Sequence, residues 1–268
     1  MLIKKIKNIS LINISKLIFT IRSIYFRIKN NKKKKIFVFT DSRGYEVTNP
    51  WNKKNPFSSY IGNLIKNYNV EYHICEESST TIIDFLYSYK TQIKKGKKYD
   101  IVIAQVGLVD FSPRPKNMLK KIIDKKNNKI KNINLDINYF YNRLNDNIFD
   151  EIYYNEELSN LYSINYFESN IIPLLLSINN FIYIGCNPIL HNWKGNYWKN
   201  RPKDINIILD YSKLLENCLP SQNVISLLNW NEKEIMKRTV DNIHLNKYGY
   251  IYLDDILKEK INEVSQCN

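Results

Sequence analysis

The run Ile36-Phe37-Val38-Phe39-Thr40 constrains the fold of this chain more than any other segment. It is short, continuous and apolar, and rich in β-branched and aromatic residues, as in a strand buried on both faces. Four more candidate strands follow at wide intervals, at 70–75, 101–106, 181–185 and 224–227. Stretches with helical character lie between them, at 58–68, 80–93, within 151–178, at 204–219 and at 247–264. Strands that alternate with helices imply βαβ crossovers, so the predicted class is α/β, with a mainly parallel five-stranded sheet covered on both faces. In such sheets ligands bind at the carboxyl ends of the strands.

The interval 111–180 is longer than one crossover helix needs. Its segment 127–147 is rich in Asn, Ile and Lys without a strong period. It reads as an insertion, either a helical cap over the site or a mobile flap.

Charge divides the chain. The formal net charge is +14, but residues 1–35 alone hold 11 Lys and Arg and no acid, leaving 29 basic against 26 acidic residues beyond. The basicity therefore belongs to one end, and a body at +3 gives no reason to expect a nucleic-acid partner. Ile14, Leu17, Ile18, Ile21, Tyr25 and Ile28 recur at helical spacing in that basic end. Residues 1–35 are thus expected to be a basic arm whose first thirty residues form an amphipathic helix. It would either rest on an anionic membrane surface or pack on the domain or a partner chain. The domain proper is expected over 36–268. The 4 cysteines show no C-x-x-C spacing and read as reduced thiols. With no convincing signal peptide or membrane-spanning run, the expected location is cytoplasmic, peripheral on the inner membrane face if the helix is an anchor.

The chemistry-bearing residues lie at the two ends of the predicted domain. Thr40-Asp41-Ser42-Arg43-Gly44 follows the first strand, and a serine there can present its hydroxyl where backbone N–H groups steady an oxyanion. Ser and Asp are also ordinary capping residues at such a turn. Asp241-Asn242-Ile243-His244 precedes the last helix, and an Asp three residues before a His can orient the imidazole. Histidine occurs only 3 times in the chain. A metal constellation, a P-loop and a dinucleotide fingerprint are all missing from the sequence, so neither metal nor cofactor is expected.

These blocks resemble those of the SGNH (GDSL-like) hydrolases, and the resemblance runs from residue 36 to about 262 through short blocks only. Thr40 stands where that family usually has Gly. The resemblance implies a flavodoxin-like three-layer α/β/α fold, with Ser42 as nucleophile, His244 as general base and Asp241 as its orienter. It also directs attention to oxyanion and substrate contacts. The second block normally supplies a glycine N–H, and Ser78 falls nearest that place in Glu76-Glu77-Ser78-Ser79. The third block is Gly107-Leu108-Val109-Asp110, with Val109 where an oxyanion-donating Asn is usual. Valine cannot donate, and one lost donor costs about a hundred- to a thousandfold in rate. Either Arg114 or Asn187 fills the gap, or the enzyme is slow or inactive.

The loop 191–198, with Trp193, Tyr197 and Trp198, can either stack on sugar faces or pack as a lid. The expected activity is ester hydrolysis through an acyl-enzyme, on an acylated small molecule or an O-acylated cell-surface carbohydrate. The alternatives are an O-acyltransferase using the same triad and a catalytically degenerate, membrane-associated binding protein.

Overall fold

The computed structural model of the protein describes residues 2–146, 148–197 and 200–266, with side chains from residue 14 onward. Trp198 and Cys267, both noted in the sequence, lie outside the described residues. The first apolar run forms β1 (Lys35–Thr40), buried throughout except at Lys35. Further along the chain come β2 (Asn69–Ile74), β3 (Ile101–Gln105), β4 (Arg114–Pro115), β5 (Ile152–Tyr153), β6 (Glu156–Ser159), β7 (Phe181–Ile184) and β8 (Val224–Ile225).

Five of these strands make one sheet in the order β2-β1-β3-β7-β8, and each neighbouring pair is parallel. The winding reverses between β1 and β3, which opens a crevice at their carboxyl ends. Thr40 and Gln105, partners in register, close the two strands at that point.

Side chains along each strand alternate between two cores. Phe37, Phe39, Val102, Ala104, Phe181 and Tyr183 enter one, and Ile36, Val38, Ile101, Ile103, Ile182 and Ile184 enter the other. The helices are α1 (Leu2–Lys29), α2 (Tyr60–Asn67), α3 (Ile82–Lys94), α4 (Leu108–Phe111), α5 (Lys116–Asn132), α6 (Ile137–Arg143), α7 (Ile164–Tyr166), α8 (Ile172–Leu176), α9 (Ile208–Cys218), α10 (Glu232–Arg238) and α11 (Lys247–Gln266). Phe85 of α3, Leu119 of α5 and Leu215 of α9 cover the first core. Ile61 of α2 and Leu253 and Leu257 of α11 cover the second. The result is a three-layer α/β/α fold.

The interval 111–180 differs from its sequence reading in two places. Residues 152–159 form a hairpin rather than the start of a helix, because Tyr154 and Asn155 both adopt left-handed φ of 52° and 60° and close a tight turn. In 127–147, helix α5 runs on to Asn132. Its buried positions are Leu119, Ile122, Ile123, Lys126 and Ile130, a regular helical stripe. A lysine occupies one core position, which hides the period; Lys126 is held there by an ion pair to buried Asp84. Asp84 also completes the capping box that opens α3 with Thr81.

Helix α1 docks by one face only. Phe19 and Phe26 flank Phe57 at 6.5 and 6.4 Å, and Ser23 Oγ lies 3.1 Å from the Tyr72 hydroxyl. Just beyond the helix, the Asn30 amide donates to the carbonyls of Ile65, Lys66 and Tyr68, satisfying the end of α2. The opposite face carries Ile14, Leu17, Ile18, Ile21, Ile24, Tyr25 and Ile28, all between 45% and 68% exposed. Among the described residues no helix is long and apolar enough to cross a membrane.

Candidate active site

The turn Ser42–Gly44 begins where β1 ends, capped by the Asp41 side chain on the Arg43 N–H at 2.9 Å. Arg43 is fully buried and donates from Nε and Nη2 to both Asp41 carboxylate oxygens at 2.9–3.1 Å. Its remaining donors reach the carbonyl of Gly185 at 3.1 Å and that of Val106 at 3.2 Å. The residue after the candidate nucleophile therefore ties together the ends of β1, β3 and β7. Burial pushes the Arg43 pKa down, but Asp41 more than reverses this, so the guanidinium is held firmly charged. Gly44 is required by space: a Cβ there would lie 1.9 Å from Thr40 Oγ1.

The second half of the site is a closed loop. Thr239 bridges Leu245, and the Val240 N–H donates to the His244 carbonyl at 2.8 Å. Within it Asn242 takes a left-handed φ of 73°, a conformation asparagine tolerates better than most residues. Its side chain accepts from the Leu190 N–H at 3.1 Å and donates to the carbonyls of Leu190 and Trp193. This staples the histidine loop to the segment after β7. With the loop so fixed, Asp241 Oδ1 accepts the N–H groups of Ile243 at 3.1 Å and His244 at 2.8 Å.

Asp241 Oδ2 lies 2.8 Å from His244 Nδ1, and His244 Nε2 lies 2.8 Å from Ser42 Oγ. Asp241 needs a donor at Nδ1, which leaves Nε2 as the acceptor for the serine proton. Burial raises the Asp241 pKa, but the hydrogen bonds from His244 and Ile243 outweigh it and hold the carboxyl below its ordinary range. The aspartate stays ionised, while the imidazole keeps 23% of its side-chain surface exposed to incoming molecules.

The other residues named from sequence are differently placed. Ser78 lies in the β2–α3 loop, which has left-handed residues at Cys75, φ 43°, and Ser79, φ 62°. That loop is anchored through Glu77, which pairs with Lys125, Lys126 and Lys129. Gly107 has φ 105° and opens α4, and a Cβ on it would meet the Phe111 ring. Asp110 does not present its carboxylate to a substrate: it is fully buried, accepting from the Ile82 N–H at 3.0 Å and the Tyr162 hydroxyl at 3.0 Å. Burial pushes its pKa up to about 7 against those hydrogen bonds. Asn187 is likewise engaged elsewhere, its amide donating to the carbonyls of Pro188 and Asn242, both at 2.8 Å. The other candidate to replace the missing Asn is Arg114. Its Nε donates to the Val109 carbonyl at 3.1 Å, and its terminal nitrogens have no oxygen partner among the described residues.

Arg114 lines a cavity of about 280 Å³ together with Arg201, Tyr153, Tyr154, Tyr197 and Ile243. Arg201 Nη2 donates to the Asp241 carbonyl at 2.8 Å, which joins the cavity to the histidine loop. Arg43, Asn242 and Arg201 were not singled out as site residues from the sequence. Asn242 carried a signal, since asparagine inside Asp-x-x-His is a candidate for a left-handed turn. Arg201 carried none beyond its charge.

The sequence matches no protein-family model and no curated protein. Among solved structures, the chain is similar to a lipase/acylhydrolase from Enterococcus faecalis, at 16% identity over 85% of this chain and 95% of that one, with a TM-score of 0.49. It is also similar to a catalytic mutant of an acetylxylan esterase from Geobacillus stearothermophilus, at 12% identity over 85% and 94% of the two chains, with a TM-score of 0.44. Likenesses of this extent bear on neither activity nor substrate, and the functional reading rests on the geometry above.

Proposed function

We propose that the protein is a serine-dependent ester hydrolase acting through an acyl-enzyme on Ser42. The observation that carries this reading is the continuous line Ser42–His244–Asp241, with 2.8 Å at each step. His244 Nε2 takes the Ser42 proton as Oγ attacks the acyl carbonyl, and Asp241 stabilises the imidazolium. The same proton then passes to the leaving alcohol. Water, activated by His244, releases the acid and restores Ser42. Backbone N–H groups of Ser42 and Ser78 steady the oxyanion. The tyrosine-walled cavity supports an O-acylated carbohydrate as substrate, since aromatic faces stack on sugar rings. A sugar hydroxyl in place of water would make the enzyme an acyltransferase.

The test is turnover of 4-nitrophenyl acetate by wild type, Ser42→Ala and His244→Ala, each checked for folding by circular dichroism. Wild-type activity falling by about a thousandfold or more in both variants is the expected result. No turnover by folded wild type would favour the binding-protein alternative, because Val109 then accounts for the loss.

The exposed apolar face of α1 supports a location as well. We propose that it lies on an anionic lipid surface. Lys16, Arg22 and Arg27 flank the stripe, and no acid accompanies them before residue 36, so a second copy of the same face would repel it.

A further inference from the structure

We propose that the cavity containing Arg114 and Arg201 binds an oxyanion, a carboxylate or a phosphate, carried by the ester substrate. This rests on the Ser42 reading above and narrows it to anionic esters. Five arginines follow residue 35. Three of them have carboxylate partners, Arg43 with Asp41, Arg143 with Asp146 and Arg238 with Glu234, each at 2.7–2.9 Å. The two without a carboxylate within 4.0 Å among the described residues are Arg114 and Arg201, and they line the same cavity.

Both are partly buried and held in place by backbone carbonyls, of Val109 and Asp241 respectively. Those bonds fix the position of each guanidinium without neutralising it. Two fixed cations facing one crevice repel each other, and an anion between them removes that cost; planar forks suit carboxylate and phosphate oxygens in particular. Burial lowers the pKa of Arg114, the buried Asp110 and Tyr197 oppose this, and Arg201 adds to the lowering.

The surroundings are net positive. An adjoining cavity of about 440 Å³ shares Tyr153, Tyr154 and Arg201 and adds Lys194 and Lys203. The acid there, Glu151, accepts the Lys203 backbone N–H at 2.7 Å. The position is that of a substrate subsite, because Ile243 directly precedes His244 and Arg201 bonds the loop that carries it. The tyrosines would hold the body of the substrate while the arginines hold its charge.

The test separates binding from catalysis by using the Ser42→Ala protein. Its affinities for an oligogalacturonide, for inorganic phosphate and for a neutral xylo-oligosaccharide of equal length are measured by calorimetry at low and raised salt. At least one anion should bind about tenfold or more tightly than the neutral sugar, which is about 1.4 kcal/mol. That advantage should shrink with salt and vanish in the folded Arg114→Gln/Arg201→Gln double variant, while Arg201→Lys keeps part of it. Oligogalacturonide alone would identify a carboxylate site, and phosphate alone a phosphate site. Equal binding of anions and neutral sugar, or an advantage that survives the double variant, overturns the proposal. If wild type turns over no ester, the hydrolase reading fails, and the anion site is still decided by these affinities.

Discussion

Arg43 and the pair Arg114/Arg201 put the same side chain to opposite uses within one end of the sheet. Arg43 is 2% exposed and has all its charge answered by Asp41, with the carbonyls of Gly185 and Val106 taking its other donors. Arg114 and Arg201 are partly buried and are held by uncharged groups, the carbonyls of Val109 and Asp241 and, for Arg201, the Tyr197 ring at 4.1 Å. A buried, fully paired arginine is a strut, whereas a partly buried one lacking a counter-ion is a binding group. Burial alone therefore does not mark function here. The presence or absence of the opposite charge does.

The largest effect that can break this contrast is on stability. Arg43→Met removes the partner of a buried carboxylate, and the expected cost is about 3–5 kcal/mol in urea denaturation. Arg114→Met and Arg201→Met each lose one hydrogen bond to a carbonyl, for about 0.5–1.5 kcal/mol, to which Arg201→Met adds about 0.5–1 kcal/mol for the lost stacking on Tyr197. If Arg201→Met costs as much as Arg43→Met, Arg201 is also a strut and the contrast collapses.

The next effect is the pH dependence of stability, set by groups whose charge is answered to different degrees. Burial raises the Asp110 pKa to about 7 in the folded protein, above its ordinary 3.8, so its contribution to stability is present below about 3.8 and is lost as pH rises towards 7. His73 acts in the same direction: burial lowers its pKa, but bonds to Glu71 and Glu76 raise it from 6.5 to about 9, so its contribution is full below 6.5 and gone above 9. Glu71 and Glu77 act oppositely. Hydrogen bonds and lysines hold both at about 2, so their contribution is present above 4.5 and is lost as pH falls towards 2. Thermal unfolding from pH 3 to 9 should therefore peak in mildly acidic solution. Asp110→Asn and His73→Gln should each flatten the alkaline limb, and an unchanged slope in both variants would refute these assignments.

The contrast between answered and unanswered charge also explains what could be read from the sequence. Most strands were legible because Ile36 to Thr40 and the runs at 101–105 and 181–184 are apolar on both faces, and a long helix cannot be drawn through such short runs. Ser42 could be named from its place after β1, and Asp241 and His244 from their Asp-x-x-His spacing before the last helix, although 202 residues separate Ser42 from His244 and nothing local fixes their distance. The helical stripe of α5 was obscured because its core position at 126 is a lysine, matched by Asp84 from a distant helix. The hairpin at 152–159 was hidden because its left-handed turn uses Tyr154 and Asn155 in place of glycine. Arg43, Arg114 and Arg201 look alike in sequence, since a missing counter-ion is a property of the assembled surface.

Helix α1 carries the contrast to apolar groups, and its test has the smallest effect on stability. Phe19 and Phe26 are packed against Phe57, whereas Ile14, Leu17, Ile21 and Ile28 have more than half their surface in solvent. Replacing those four with Ser removes no packing on the domain, so the stability change should stay within about 0.5 kcal/mol per site. Shortening the chain to Lys33 is a poorer experiment, because it deletes Asn30 and exposes the three carbonyls at the end of α2 that Asn30 satisfies. Co-sedimentation with phosphatidylserine vesicles should fall by about tenfold or more in the fourfold variant, since each buried aliphatic side chain contributes roughly 1.5–3 kcal/mol. It should also fall with salt in wild type, as the flanking lysines and arginines require. Equal pelleting of wild type and variant would mean that the open face of α1 is not a membrane surface. A sharp loss of stability in the variant would mean that the face is covered by another copy of the chain in solution.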